Sequence, residues 1–368
     1  MKELQSFAWY AARVAPHLPK KAFQPAPERL WGGLAYLIVV VSGILTISLT
    51  DFNIWINSII AIVLGTSFAA MGFLGHEILH GTVVRKAWLR ELTGGIAFFP
   101  LSVGPKLWIK WHNVTHHRHT QDEENDPDAW PTVERFSKAK VFKPFYQLPF
   151  SVRGCLEMAF LAITFTIHSS RMFKRFIKEF QQEKRPSVWF QLLFPWTVWI
   201  SLLVLIGPLK WTFAFLIPLL IGNFIVMAYI ATNHRLNPLV PVNDPLANSL
   251  TVTVPKWVDV LHFNFSYHTE HHLFPGMSSK YYPLVKAEIK KQWPERYHEM
   301  PMTQALAALY KTPRLYSGET QTELVDPSAG ETYGTLGHGL NPADIKPKEE
   351  GSVLLSEKNV KLNERLMK

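Results

Sequence analysis

Four stretches of this chain run for about 20 residues without one charged side chain, the length at which an α-helix crosses the hydrocarbon core of a bilayer. They are Leu30–Thr50, Ile54–Gly75, Ser187–Gly207 and Trp211–Thr232. Only Asp51-Phe52-Asn53 joins the first pair, and only Pro208-Leu209-Lys210 joins the second. Joints this short make two helical hairpins. Soluble folds rarely hold four such runs, so the pattern predicts an all-α membrane protein with four transmembrane helices. Composition agrees: 48% of the residues are hydrophobic, yet 18% are charged, so greasy and polar segments are segregated along the chain. The net charge of +9 carries no Lys/Arg run long enough to favour nucleic acid. The single cysteine, Cys155, excludes an intrachain disulfide and any cysteine-based metal site, and reads as a buried thiol.

Both joints must share one side of the bilayer, and Lys210 is their only basic residue. The other side carries Arg13, Lys20, Lys21 and Arg29, and the basic residues from Arg85 to Arg185. The positive-inside rule therefore predicts cytoplasmic termini and a cytoplasmic middle loop. The first apolar run begins too late for a cleaved signal peptide. The organisation read from this is a cytoplasmic segment at 1–29, a first hairpin at 30–75, a cap portion at 76–186, a second hairpin at 187–232, a second cap portion at 233–316 and a disordered tail at 317–368. Two shorter apolar stretches in the loop, Gly94–Gly104 and Cys155–Ile167, are expected to lie on the bilayer surface or re-enter it.

The chain has 15 histidines, and most of them cluster beyond the ends of these runs. His76 and His80, in HEILH, follow the second run and share one face of a helix. WHNVTHHRH holds His112 and His116 at the same spacing, with His117 about 100° away if the helix stays regular. His234 follows the fourth run, and SYHTEHHLFPGM supplies His268, His271 and His272. HEILH alone fits the zinc-protease pattern. Nine imidazoles on one side instead suit two metal ions of four to six ligands each, and imidazole suits iron, zinc, copper and nickel alike. His17, His168, His262, His298 and His338 read as surface or capping residues, and His119 as a surface residue or one behind the ligands. Asp126 or Asp128, just after the second cluster, is placed to orient a ligand histidine through its other ring nitrogen. The alternative is a solvated turn built on Asn125-Asp126-Pro127. Glu77 and Glu270, each beside ligand candidates, are candidates for the same supporting role.

HEILH, HNVTHH and HTEHH resemble the three histidine boxes of the integral-membrane fatty acid desaturases, a group that also includes alkane hydroxylases and carotenoid oxygenases. The resemblance spans about residues 60–300, and LFPGMSSKYYPLV after the third box resembles the acyl-lipid and acyl-CoA branch. Many members have four residues between the first two histidines, whereas this chain has three; both spacings occur. The resemblance implies a four-helix stem under a helical cytoplasmic cap that holds two iron ions. It implies His76, His80, His112, His116, His117, His268, His271 and His272 as ligands, with His234 as the ninth. The implied activity is insertion of a double bond into a fatty acyl chain held on lipid, CoA or a carrier protein, using dioxygen and two electrons. The alternative on the same scaffold is hydroxylation. A metal transporter would need ionisable residues along the spans, which are almost free of them. With no haem motif and no cysteine cluster in the sequence, electrons are expected from a separate ferredoxin or cytochrome b5. An acyl tunnel between the ends of the second and fourth runs would end near Gly222 and Asn223; the alternative for Asn223 is an interhelical hydrogen bond.

Overall fold

The computed structural model describes residues 3–138, 143–313, 315–317, 321–326, 330–342 and 345. After an amphipathic helix α1 (Phe7–Val14), the chain enters α2 (Arg29–Leu49) and returns in α3 (Ile54–Leu79). The Asn53 side chain caps α3 by accepting from the N–H groups of Trp55 and Ile56. α2 leaves Trp31, Leu34, Ile38, Leu45 and Leu49 exposed, as a helix facing lipid does, whereas α3 is buried almost continuously from Leu64 to Leu79. α3 is therefore the central post of the stem.

Three segments are long and apolar enough to cross a membrane: Arg29–Leu49, Ile54–Leu79 and Gln182–His234. The third is 53 residues long but not straight. It consists of α7 (Arg185–Trp211), a π-turn at Thr212–Leu216 and α8 (Ile217–His234), and Gly207 breaks it with φ 77° and ψ 165°, a conformation open essentially to glycine alone. The chain folds back there. The Trp211 indole N–H donates to the carbonyl of Trp199 at 2.8 Å, and the Trp199 and Phe215 rings stack at 4.2 Å. A straight helix would hold Trp199 and Phe215 about 24 Å apart. The tips of the two pairs meet: Lys210 Nζ lies 2.9 Å from Asp51 and donates to the carbonyl of Ser48 at 3.2 Å. α8 packs along α3 where glycines permit close approach. A Cβ on Gly222 would stand 3.1 Å from Phe68 Cβ, and one on Gly65 only 2.6 Å from Ile221.

Between the pairs lie α4 (Ala87–Phe98), a helix α5 that runs from Pro105–Trp108 through a π-segment Ile109–His116 to His117–His119, and α6 (Phe150–Phe176). The apolar stretch Cys155–Ile167 is thus part of a 27-residue amphipathic helix and not a short piece. α6 exposes Val152, Leu156, Phe160 and Ile167 on one stripe, and buries Leu161, Phe165 and Met172 on another. Its Cys155 is exposed rather than buried, because it falls on the outer stripe.

The last part is α9 (Lys256–Leu261), α10 (His268–Leu273), α11 (Tyr282–Gln292) and α12 (Met302–Lys311), with a parallel pair β1 (Thr251–Thr253) and β2 (Glu299–Pro301). The tail expected to be disordered from residue 317 is ordered in part. β3 (Leu315–Ser317), β4 (Glu323–Val325) and β5 (Thr332–Gly334) form an antiparallel sheet. Leu315, Tyr316, Leu324 and Val325 of this sheet are buried, which the polar composition around them concealed. The rest of that tail, from residue 346, lies outside the described residues.

Candidate metal centre

Four elements converge beyond the inner ends of α3 and α8. α3 ends on His76 and His80, α5 brings His112, His116 and His117, α8 ends on His234, and α10 brings His268, His271 and His272. The nine rings sort into two lobes. In the first, the ligand atoms of His76, His80, His112, His117 and His271 all lie within 4.8 Å of one another, a group able to hold a metal ion. The second contains His116, His234 and His272 on the same criterion. His268 joins it, its Nε2 lying 2.7 Å from that of His234 and 3.0 Å from that of His272.

The π-segment decides which ring goes where. Its hydrogen bonds run from i to i+5 and widen each turn, so residues five apart are brought onto one face. His112 and His117 consequently meet, Nε2 to Nε2, at 3.1 Å. His116 turns to the other lobe. A regular helix would have paired His112 with His116, which was the sequence-based expectation. In α10 the ordinary spacing holds: His268 and His272 share the second lobe, while His271 reaches the first, 3.0 Å from His117.

These contacts are not ordinary hydrogen bonds. A neutral imidazole has one N–H, and in four of the nine rings the outer nitrogen already has a partner. His116 Nδ1 donates to Asp126 Oδ1 at 2.9 Å, His271 Nδ1 to the Tyr282 hydroxyl at 3.0 Å, His234 Nδ1 to the carbonyl of Asn248 at 3.2 Å, and His272 Nδ1 faces Thr120 Oγ1 at 3.3 Å. With Nδ1 protonated, the inward Nε2 atoms present lone pairs to one another. Lone pairs facing at this range are the edge of a ligand polyhedron: metal–nitrogen bonds of about 2.1 Å place octahedral neighbours about 3.0 Å apart. His76 and His112 show 3.0 Å. The Nε2 of His80 is buried with no hydrogen-bond partner among the described residues. The donor set therefore fits metal ions.

For five of the rings electrostatics point the same way. Burial first, then the neighbouring histidines, hold His112, His117, His268, His271 and His272 well below the usual imidazole pKa, so these rings stay neutral and able to ligate. For His116 burial acts in the same direction, but Asp126 and Asp128 together outweigh it and raise the pKa to about 9. Asp128 stands 3.5 Å from His116 Nδ1, and its Oδ1 accepts from the Trp111 indole and from His168, both at 2.7 Å.

Of the four carboxylates expected behind the ligands, Asp126 and Asp128 face a histidine. Glu77 and Glu270 do not, because each projects about 100° around its helix from the preceding residue. Glu77 accepts from Arg29 Nε at 3.0 Å, Ser278 Oγ at 2.6 Å and the Ser279 amide at 3.1 Å. Glu270 accepts from Thr251 at 2.6 Å and from Tyr297. His168, read as a surface or capping residue, instead braces Asp128. Tyr282, Thr120 and Asn248 were also missed; of these only Tyr282 lay in a motif already singled out.

A cleft of about 20 Å³ adjoins the first lobe, walled by Phe73, Phe265, His76, His80 and His271. A larger apolar groove of about 480 Å³ lies between the two pairs of stem helices, lined by Val40, Met71, Phe99, Trp199 and Leu202 among others. Gly222 and Asn223 border neither. Gly222 serves the α3–α8 contact, and the Asn223 side chain donates to Thr166 of α6 at 2.9 Å.

Comparison with known proteins gives a consistent result. The fatty acid desaturase family matches residues 53–304. An sn-1 oleoyl-lipid 12-desaturase of a Picosynechococcus species is 26% identical over 324 residues, covering 82% of this chain and 88% of that protein. One from a Synechocystis species is also 26% identical, covering 87% and 90%. A chloroplastic sn-2 acyl-lipid omega-3 desaturase (ferredoxin) of Helianthus annuus is 24% identical, covering 79% and 68%.

Proposed function

The chain belongs to the fatty acid desaturase family, and from that premise we propose that it is a diiron acyl-lipid desaturase fed by a separate ferredoxin-type carrier. That it is a fatty acid desaturase, an oxidoreductase, follows from the family and the relatives, whose names carry desaturation and not hydroxylation. The acyl-lipid substrate and the ferredoxin rest on the names of those relatives. The single observation that carries the dimetal reading is the sorting of nine histidines into lobes of five and four.

In this reading His76, His80, His112, His117 and His271 hold one iron, and His116, His234, His268 and His272 hold the other. Bound iron would supply the dioxygen activation that an unactivated methylene requires and that no side chain can provide. The protein supplies the rest. Asp126, Tyr282, Asn248 and Thr120 fix His116, His271, His234 and His272 through Nδ1 and keep the Nε2 of these four rings free. Phe73, Phe265 and Trp108 wall the first lobe, their rings 4.3–5.4 Å from one another or from His76 and His80, and keep water from it. The lipid-facing α2 and the α7–α8 reversal support four crossings in two hairpins, with the histidines and both termini on the cytoplasmic, basic side.

Expression in a host lacking the product, feeding of a deuterium-labelled saturated fatty acid, and mass spectrometry with the double bond located test the reaction. The expected product is an unsaturated acyl chain on lipid. Hydroxy acid as the main product overturns the reading. Metal analysis of active protein is expected to give two irons per chain, and one zinc without iron would refute the dimetal assignment.

A further inference from the structure

The most heavily tied polar residue near the histidines is not among the expected candidates. Gln121 is buried to 1% exposure and sits in the left-handed backbone region with φ 59°. That conformation is costly for a residue with a long side chain and persists only where surroundings enforce it. Here three groups of contacts enforce it. The Gln121 amide donates to Asp126 Oδ2 at 2.7 Å, and the other oxygen of that carboxylate takes His116. The Gln121 carbonyl accepts from the Val240 amide at 2.9 Å. Its side-chain Nε2 lies 3.0 Å from the carbonyl of His234, 3.2 Å from that of Asn237, 3.3 Å from that of Pro238 and 3.0 Å from the Tyr316 hydroxyl. Three of these four are carbonyls, so the amide orientation is forced. Tyr316 in turn donates to the carbonyl of Asn237 at 2.8 Å.

Gln121 thus reaches two histidines from two different segments, His116 through a carboxylate and His234 through its own main chain. Both belong to the four-histidine lobe. Among the described residues, no contact of Gln121 leads to His76, His80, His112 or His271. We infer that Gln121 is a positioning residue for the four-histidine lobe alone, and that Tyr316 of the C-terminal sheet locks it in place. The inference rests on the two-lobe metal reading. It gives the ordered part of the chain beyond residue 314 a role: the sheet completes the site from outside.

The test uses the full-length iron-loaded protein in detergent, with Gln121→Asn and Tyr316→Phe. Asparagine tolerates the left-handed backbone but is one methylene too short to reach the carbonyls, so it separates reach from strain. Iron loss to a chelator is followed in time, alongside the melting temperature. The wild type is expected to hold two irons. In Gln121→Asn half of the iron should leave about tenfold faster or more while the other half keeps the wild-type rate, with a smaller change in the same half for Tyr316→Phe. Equal acceleration of both halves would make Gln121 a general structural residue and overturn the proposal, as would unchanged rates in both variants. A wild type holding one metal or none would refute the dimetal reading itself, a result separable from the other two.

Discussion

Replacing Asp126 by asparagine changes one oxygen to nitrogen and no volume, yet it should disable the four-histidine lobe. The Asp126 carboxylate accepts three N–H groups: Oδ1 takes His116 Nδ1 at 2.9 Å and the Asp128 amide at 2.9 Å, and Oδ2 takes the Gln121 amide at 2.7 Å. An asparagine has only one acceptor atom. With its oxygen in the Oδ1 place, the NH2 group faces the Gln121 N–H donor to donor, in a site with 4% exposure. Leaving such a buried donor unsatisfied costs about 1–3 kcal/mol. Turned over, the NH2 group faces His116 Nδ1, which must then accept; the proton moves to Nε2 and the lone pair that would bind metal is lost. Either arrangement lowers affinity at that lobe by about 10–100-fold, or about 1.4–2.8 kcal/mol. Chelator competition on the purified protein, with desaturation measured in parallel, reads this directly. Asp126→Asn is expected to behave like Asp126→Ala and not like wild type. Wild-type affinity and activity in Asp126→Asn would show that Asp126 does not set the His116 tautomer.

Three further outcomes follow from the structure. His168→Phe removes one of the two N–H donors to Asp128 Oδ1 and leaves the Trp111 donor; activity should fall by about tenfold, less than for Asp126→Ala, and an equal or larger loss would place His168 closer to the chemistry than its 2.7 Å contact with Asp128 implies. Arg153→Met removes the guanidinium 2.9 Å from the buried Asp326 carboxylate; a loss of about 3–5 kcal/mol in unfolding experiments is expected, with most of it recovered in Arg153→Met combined with Asp326→Asn. Gly207→Ala meets no neighbouring atom within 4 Å but cannot adopt the glycine-only backbone of the reversal, so it should destabilise by about 1–3 kcal/mol, and an unchanged melting temperature would remove Gly207 as the cause of the turn.

The long apolar helices were legible because a span needs about 20 residues without charge and every backbone bond internal. Leu30–Thr50 and Ile54–Gly75 map almost residue for residue onto α2 and α3. Ser187–Gly207 and Trp211–Thr232 fall in one long apolar segment, Gln182–His234, with the backbone helical up to Gly207 and again from Pro208. Less visible was α6. Its lower overall hydrophobicity reflects two stripes, one buried and one exposed, and a search for uninterrupted apolar runs sees only its middle. The C-terminal sheet was invisible for a different reason. Its strands are three residues long, and Leu315, Tyr316 and Leu324 find their partners on remote segments, such as Gln121 for Tyr316.

At the site the histidines were legible and their arrangement was not. Density and spacing pick out nine rings, but only the π-segment tells that His112 goes with His117 while His116 crosses to the other lobe. Because His116 alone crosses from that helix, it is the one of the nine rings seen hydrogen-bonded to a carboxylate among the described residues, while the outer nitrogens of His271, His234 and His272 meet a phenol, a carbonyl and a hydroxyl. A carboxylate partner makes an imidazole a more basic ligand than a neutral partner does. In the proposed dimetal reading the four-histidine lobe would have fewer ligands but a carboxylate hydrogen-bonded to one of them, and the five-histidine lobe more ligands and, among the described residues, no such bond. Two metal positions built this way would be chemically unequal before any substrate arrives, and the inequality would trace to a single extra residue in one turn of α5.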